Sequence, residues 1–169
     1  MSSSEVKAES IATNGEDAIA SWEDGQQQLA EASDYWLTTI NPNGHPHVMP
    51  LFGVWSEGHL YFTSSPDAQK AKNLEDNPHC AIATHGKTLD LIVEGEAHRI
   101  TDDATLQRIA DAYNAKYGWP VTVKDGAYDA PFGAPSAGKP PYQLYEVRLT
   151  KAFGLGTAEP YGATRWTFK

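Results

Sequence analysis

From Asp34 to Thr63 the chain runs in short β-branched and aromatic segments separated by turn signals, and at Ser64 the spacing switches to that of a helix. DYWLTTI is followed by NPNG, where Gly44 is free to take a positive φ. HVMPLFGVW is followed by a turn at Ser56–Gly58 and then by HLYFTS. Three strands joined this tightly form a meander. The switch at Ser64-Ser65-Pro66-Asp67 has the marks of a helix start: a hydroxyl N-cap, proline near the first position and an acid in the first turn. AQKAKNLED continues the helix, and Asn77-Pro78 ends it.

HCAIATHG and TLDLIVEGEAHRIT read as two more strands, the second long enough for a bulge at Gly95. DDATLQRIADAYNAKYG is the strongest helix: Asp102 or Thr101 caps it, Leu106, Ile109 and Tyr113 share a face, and Gly118 stops it. Residues 119–141 are rich in Gly, Pro and Ala and read as one long loop, a candidate lid. YQLYEVRLTKAFGLG is the last long strand, and ATRWTF a short closing one. Near the start, EDAIASWEDGQQQLAEAS is a weakly amphipathic helix with Ile19, Trp22 and Leu29 on one face and a possible break near Gly25. Residues 1–15 are expected to be a disordered lead-in and 16–169 a single domain. About six strands with helices between them predict a mainly β, α+β barrel rather than a parallel α/β sheet.

The 169 residues suffice for one core. The formal net charge of −9 comes without a segregated basic stripe, which argues against nucleic acid as a partner. No apolar run approaches the roughly 20 residues of a membrane helix. Met1–Ser10 is polar and lacks the apolar core of a secretory signal, and the lone Cys80 forms no internal disulfide; both point to the cytoplasm.

The chemistry concentrates in LYFTSSPDAQKAKNL. A strand ending in Thr63, Ser64 and Ser65 and entering a helix brings hydroxyls beside unpaired backbone N–H groups, a setting that favours a phosphate. Lys70 lies about one turn in, and Lys72 sits on an adjacent face. The alternative is that Ser65 merely caps a helix with a solvated lysine face.

The succession NPNGHPHVMPLFGVW, LYFTSSPDAQKAKNLEDNP, CAIAT, LDLIVEGEAHRI and a closing ATRWTF resembles the pyridoxamine 5′-phosphate oxidase-like superfamily, in its flavin/deazaflavin oxidoreductase branch. The resemblance covers roughly residues 28–169, and K-A-K-N-L with Asn-Pro is its most specific part. It implies a homodimeric split β-barrel with inserted helices, binding FMN or the deazaflavin coenzyme F420 in a groove between subunits. Val48, Met49, Pro50 and Leu51 match the strand along the ring edge, and Phe62 and Thr63 match the neighbouring strand end. Lys70 matches the phosphate-binding lysine, Gln69 stands where the oxidase has arginine, and Asp90 matches a ring contact. His47, Ser64, Ser65, Lys72, Arg165 and Trp166 join them as cofactor-binding candidates. His47 and Phe52 replace basic residues of the oxidase, which argues against pyridoxamine 5′-phosphate as substrate. Gln69 and the ending favour F420 over FMN.

The implied activity is hydride transfer between the cofactor and a small unsaturated or quinone-like substrate, with no side chain assigned as catalytic. The alternative is a non-catalytic flavin, deazaflavin or haem carrier. His45 and His47 alternate as metal ligands do, but without a nearby third ligand they read as exposed turn histidines. His47 also remains a candidate proton donor beside the cofactor. His85 and His98 show no partner. Trp36, Trp55, Trp119, Tyr113 and Tyr117 read as packing residues, Cys80 as buried, and Ser136 lacks the context of a hydrolase nucleophile.

Overall fold

A computed structural model describes residues 6–169. Its elements are β1 (Val6–Ser10), α1 (Trp22–Glu31), β2 (Tyr35–Ile40), β3 (Pro46–Leu51), β4 (Gly53–Ser56), β5 (His59–Ser64) and α2 (Gln69–Asp76). They continue as β6 (His79–Thr84), β7 (Leu89–Ile100), α3 (Asp103–Tyr117), β8 (Thr122–Lys124), β9 (Ala127–Asp129), β10 (Gln143–Gly156) and β11 (Ala163–Phe168).

Neighbouring strands run β3-β2-β6-β7-β10, after which β10 has two partners on the edge facing away from β7. Its first part, Gln143–Val147, pairs with β5, which carries β4; its second part, Lys151–Leu155, pairs with β11, which carries β1. β10 thus divides the sheet, and every named strand pair is antiparallel. At the ends of the path β3-β2-β6-β7-β10-β5-β4 stand two strands joined in sequence by Phe52 alone. A one-residue join cannot span a flat seven-strand sheet, whose neighbours are about 4.8 Å apart, so the sheet rolls up. The result is a split β-barrel.

Tyr35, Leu37, Leu60, Phe62, Ile82, Leu91, Val93 and Val147 fill the barrel interior, with Leu29 of α1 and Trp166 of β11 in the same cluster. A second core lies where α3 sets Leu106, Ile109 and Tyr113 against Val54, Tyr61 and Leu144. The two cores use alternate residues of the same strands, as the period of two requires.

Several boundaries differ from the sequence expectation. Residues 6–10 form a paired strand rather than disordered chain, because β11 offers an open edge and Val6 packs on the core; residues 1–5 lie outside the described residues. α1 begins at Trp22 rather than Glu16, with Ser21 accepting from the Asp24 N–H at 3.1 Å, and continues through Gly25 unbroken. α2 begins four residues after Ser65: a turn closed by the Ala68 N–H on the Ser65 carbonyl (3.1 Å) comes first, and the N-cap Ala68 has no side-chain acceptor. The bulge lies on β10, where Thr150 is the extra residue between Leu149↔Gly95 and Lys151↔Glu94. Gly95 is its counterpart, since a Cβ there would stand 2.2 Å from the Arg148 carbonyl oxygen. Residues 119–141 are not one loop. Asp125 and Gly126, at φ 51 and 73, turn β8 back on β9, the pattern of an Asp-Gly hairpin.

Candidate functional site

A cavity of about 220 Å³ opens between β3, the end of β5, the start of α2 and the segment 130–142. β3 contributes Met49, Pro50 and Leu51, with Phe52 following; β5 and the turn after it contribute Thr63, Ser64 and Ser65; α2 contributes Lys70. Trp119, Tyr142, Ala134, Ser136 and Ala137 close the far side, and Asp34 completes the lining.

α2 is seated by Asn73, which is 2% exposed. Its amide donates to Thr39 Oγ1 and Asn41 Oδ1, both at 3.0 Å, and accepts from Gln69 Nε2 at 2.8 Å. Lys70, one turn earlier, is half-buried, and burial lowers its pKa by disfavouring the charged form. Among the described residues no carboxylate pairs with it. An ammonium desolvated without a counter-ion is a site that an anion stabilises. Ser65 lines the same cavity, and the Ser64 hydroxyl donates to the Ser65 carbonyl at 2.9 Å.

The opposite wall is aromatic. The Phe52 ring stacks on Tyr117 with centroids 4.2 Å apart and planes 14° apart. α3 holds this corner by its backbone: Tyr113 Oη donates to the Phe52 carbonyl (3.3 Å), Lys116 Nζ to the Gly53 carbonyl (3.0 Å), and the Gly53 N–H to Tyr117 Oη (3.1 Å). Gly53 permits this fit, since a Cβ would come 2.8 Å from the Tyr35 ring. Trp119 Nε1 donates to the Phe132 carbonyl (2.8 Å) and Tyr142 Oη to that of Gly138 (2.9 Å), tying the covering segment to the barrel.

The cavity gathers Met49, Pro50, Leu51, Thr63, Ser64, Ser65 and Lys70 of the sequence candidates. The others lie elsewhere. Phe62 is fully buried inside the barrel, stacked on Tyr145. Trp166 is also buried, donating to the Ala20 carbonyl at 3.2 Å. Arg165 is paired with Glu9, Nη2 to Oε1 at 2.7 Å, a partner supplied by β1. Lys72 is exposed on α2, and Gln69 is engaged with Asn73. His47 faces Thr39 across the strand pair, its Nδ1 buried without a partner. Val48 and Asp90 lie on the outer sheet face, where Asp90 contacts the His85 ring. His85 thus has a partner, as has His98, whose Nε2 is 3.3 Å from Glu96. The sequence reading missed Asp34, Phe52, Trp119 and Tyr142 as lining residues. The Phe52 departure carried a signal, and Trp119 opens the 119–141 segment read as a candidate lid; Asp34 and Tyr142 reach the cavity by folding, with no local mark.

The outer face also carries a cross-strand row Arg165–Phe153–Ile92–Ala83–Trp36–Pro50. Trp36 and Val48 are each 50% exposed there. A larger hollow of about 310 Å³ lies by α1 and the β10–β11 turn, but its lining holds Asp24, Glu31 and Glu159 and no cation, so it has nothing for an anion. Among the described residues no three His, Cys, Asp or Glu side chains gather for a metal, and no helix is long and apolar enough to cross a membrane.

Residues 22–156 match the family model described as pyridoxamine 5′-phosphate oxidase. Among solved structures, one titled F420 reductase is similar at 23% identity, covering 75% of this chain and 94% of that one, with a TM-score of 0.56. A FAD-binding protein from Mesorhizobium loti is similar at 15% identity, covering 96% and 97%, with a TM-score of 0.55. A haem-binding protein from Mycobacterium smegmatis is similar at 16% identity and a TM-score of 0.61; the match covers 88% of this chain and 58% of that one. At these identities the likeness is one of fold.

Proposed function

The chain belongs to the pyridoxamine 5′-phosphate oxidase family, and on that premise we propose that it is a homodimeric, cytoplasmic oxidoreductase using coenzyme F420 or FMN, with F420 preferred. The observation that carries the reading is Lys70: a half-buried ammonium without a carboxylate partner among the described residues, facing a cavity beside Ser65. The lining fits an anionic cofactor with a flat ring, having one cation, neighbouring hydroxyls and a strand edge of Met49, Pro50 and Leu51. Such a cofactor, when bound, supplies two-electron hydride chemistry to a small unsaturated or quinone-like substrate.

The protein's part is to bind, orient and dry the site. Lys70 and Ser65 hold the phosphate, β3 borders the ring, and Trp119 with the 130–142 segment limits water. Phe52 occupies the substrate side, where a phosphorylated substrate would need a cation, so pyridoxamine 5′-phosphate is not the substrate. The exposed Trp36 and Val48 on the outer face support the dimer, and a subunit contact over that row would bring Asp90 and Arg165 toward a cofactor.

Titration of the purified protein with F420 and with FMN, followed by fluorescence, tests this. Lys70→Ala removes a charge-assisted contact worth about 1.5–3 kcal/mol, so affinity for the bound cofactor is expected to fall roughly tenfold to a hundredfold. Unchanged affinity for both in a folded variant overturns the reading. Reoxidation of the reduced cofactor by added quinone separates the enzyme from a carrier.

A further inference from the structure

The cavity is electrically polarised. Lys70 comes to it from α2, while Asp34 comes from the entry to β2. Because Tyr35 pairs with Leu51, Asp34 lies beside Phe52, and Tyr117 Oη donates to the carbonyl of neighbouring Ser33 at 2.9 Å. Burial chiefly raises the Tyr117 hydroxyl pKa; the hydrogen bond with the Gly53 backbone opposes that rise, and the nearby charge of Asp34 adds to it. Phe52 has one face covered by Tyr117 and remains 43% exposed, which leaves a flat apolar surface open.

We propose that Asp34 and Phe52 select the electron acceptor by shape and charge: this half of the cavity takes a flat ring that is neutral or cationic and disfavours one that carries an anion. The inference rests on the assignment of Lys70 to the cofactor, which leaves Asp34 as the charged side chain of the lining that an acceptor at Phe52 meets; Lys116, behind the same corner, directs its ammonium to the Gly53 carbonyl and the Tyr35 hydroxyl and does not line the cavity. A ring on Phe52 gains offset stacking, whereas a sulfonate or carboxylate on that ring approaches a carboxylate of like charge. A quinone held there takes up two electrons and a proton as hydride, draws a second proton from water and leaves as hydroquinone; the bound reduced cofactor is the two-electron reductant.

The test uses the cofactor-loaded protein with three naphthoquinones: unsubstituted, sulfonated and bearing a trimethylammonium group. Equilibrium dialysis against the oxidised protein gives affinities, and steady-state reduction gives kcat/KM. Asp34→Asn is expected to raise the sulfonated-to-neutral ratio in both measurements about threefold to tenfold, the size of one like-charge contact near water, and to lower the cationic-to-neutral ratio. Ratios that stay fixed overturn the role of Asp34. Phe52→Ala is expected to weaken quinone binding at least fivefold more than cofactor binding; a larger loss of cofactor binding overturns it, because Phe52 then holds the cofactor ring. Failure of Lys70→Ala to weaken cofactor binding falls on the earlier reading, whereas the Asp34 ratios test this one.

Discussion

Asn73→Ala is expected to destabilise the fold and to weaken cofactor binding together, although Asn73 is not part of the cavity lining. The side chain makes two donated bonds at 3.0 Å and one accepted at 2.8 Å, and it is 2% exposed. Two buried neutral bonds contribute about 0.5–1.5 kcal/mol each, and leaving the fully buried Thr39 hydroxyl without its donor adds about 1–3 kcal/mol. Gln69 is exposed enough to turn to water, so the third bond adds little. The expected loss is about 2–6 kcal/mol, read as a lower urea midpoint at unchanged slope. A second substitution sharpens the test. In the Asn73→Ala background, Thr39→Val removes the orphaned hydroxyl and should recover part of the loss, giving a coupling energy of about 1 kcal/mol. Lys70 stands one turn away, so cofactor affinity should fall as the seat of α2 loosens. A stability loss below about 0.5 kcal/mol, or independent effects of the two substitutions, would refute the role of Asn73.

Gly95→Ala should lower the melting temperature markedly, by about 1–3 kcal/mol of stability or more, since the added Cβ meets the Arg148 carbonyl opposite the bulge. Trp36→Glu, on the exposed apolar row, should shift the sedimentation of the proposed dimer to that of a monomer without changing the far-ultraviolet circular dichroism spectrum. Burial lowers the Lys116 pKa from 10.5 to about 8. Between those values the unfolded chain binds more protons than the folded one, so this residue's contribution to stability rises with pH. Lys116→Met should flatten that rise in urea midpoints compared at pH 8 and 9.5; an equal slope in both proteins would contradict the assignment.

Much of the fold is legible because strand and helix periods differ. The strands and turns from Asp34, the strand at Gln143–Gly156 and the α3 caps appear in local residue types: Asp102 accepts from the Thr105 N–H at 2.9 Å, and Gly118 ends the helix at φ 64. What the local pattern hides is that HVMPLFGVW divides at Phe52, so that the expected three-strand meander becomes β3 on β2 and β4 on β5 at opposite ends of the sheet path. VKAES does alternate Val6 and Ala8 with Lys7 and Glu9, but five residues beside a polar terminus are too short a run to stand as a strand, and its pairing comes from the free edge of β11. Asp125-Gly126 is a hairpin signal that the surrounding glycine and proline content hides. The helix start at Ser64–Asp67 carries correct capping chemistry, yet the chain uses it for a turn. In the site, the Thr63–Lys70 motif and, through the resemblance, Met49–Leu51 were found, whereas Asp34 and Tyr142, which belong to neither segment, were not. Asn73 stood inside K-A-K-N-L, but its role depends on Thr39 and Asn41, more than thirty residues away.

The single residue that splices β3 to β4 ties two kinds of change together. Its side chain forms part of the cavity wall and not of the strand pairing, so the proposed preference for one acceptor over another is adjustable there by point substitution. Its length is not free, because an added residue would slacken the seam of the barrel and move the wall with it. Relatives with altered substrate range should therefore differ at this position in identity, and those with insertions should carry them in the 130–141 cover instead.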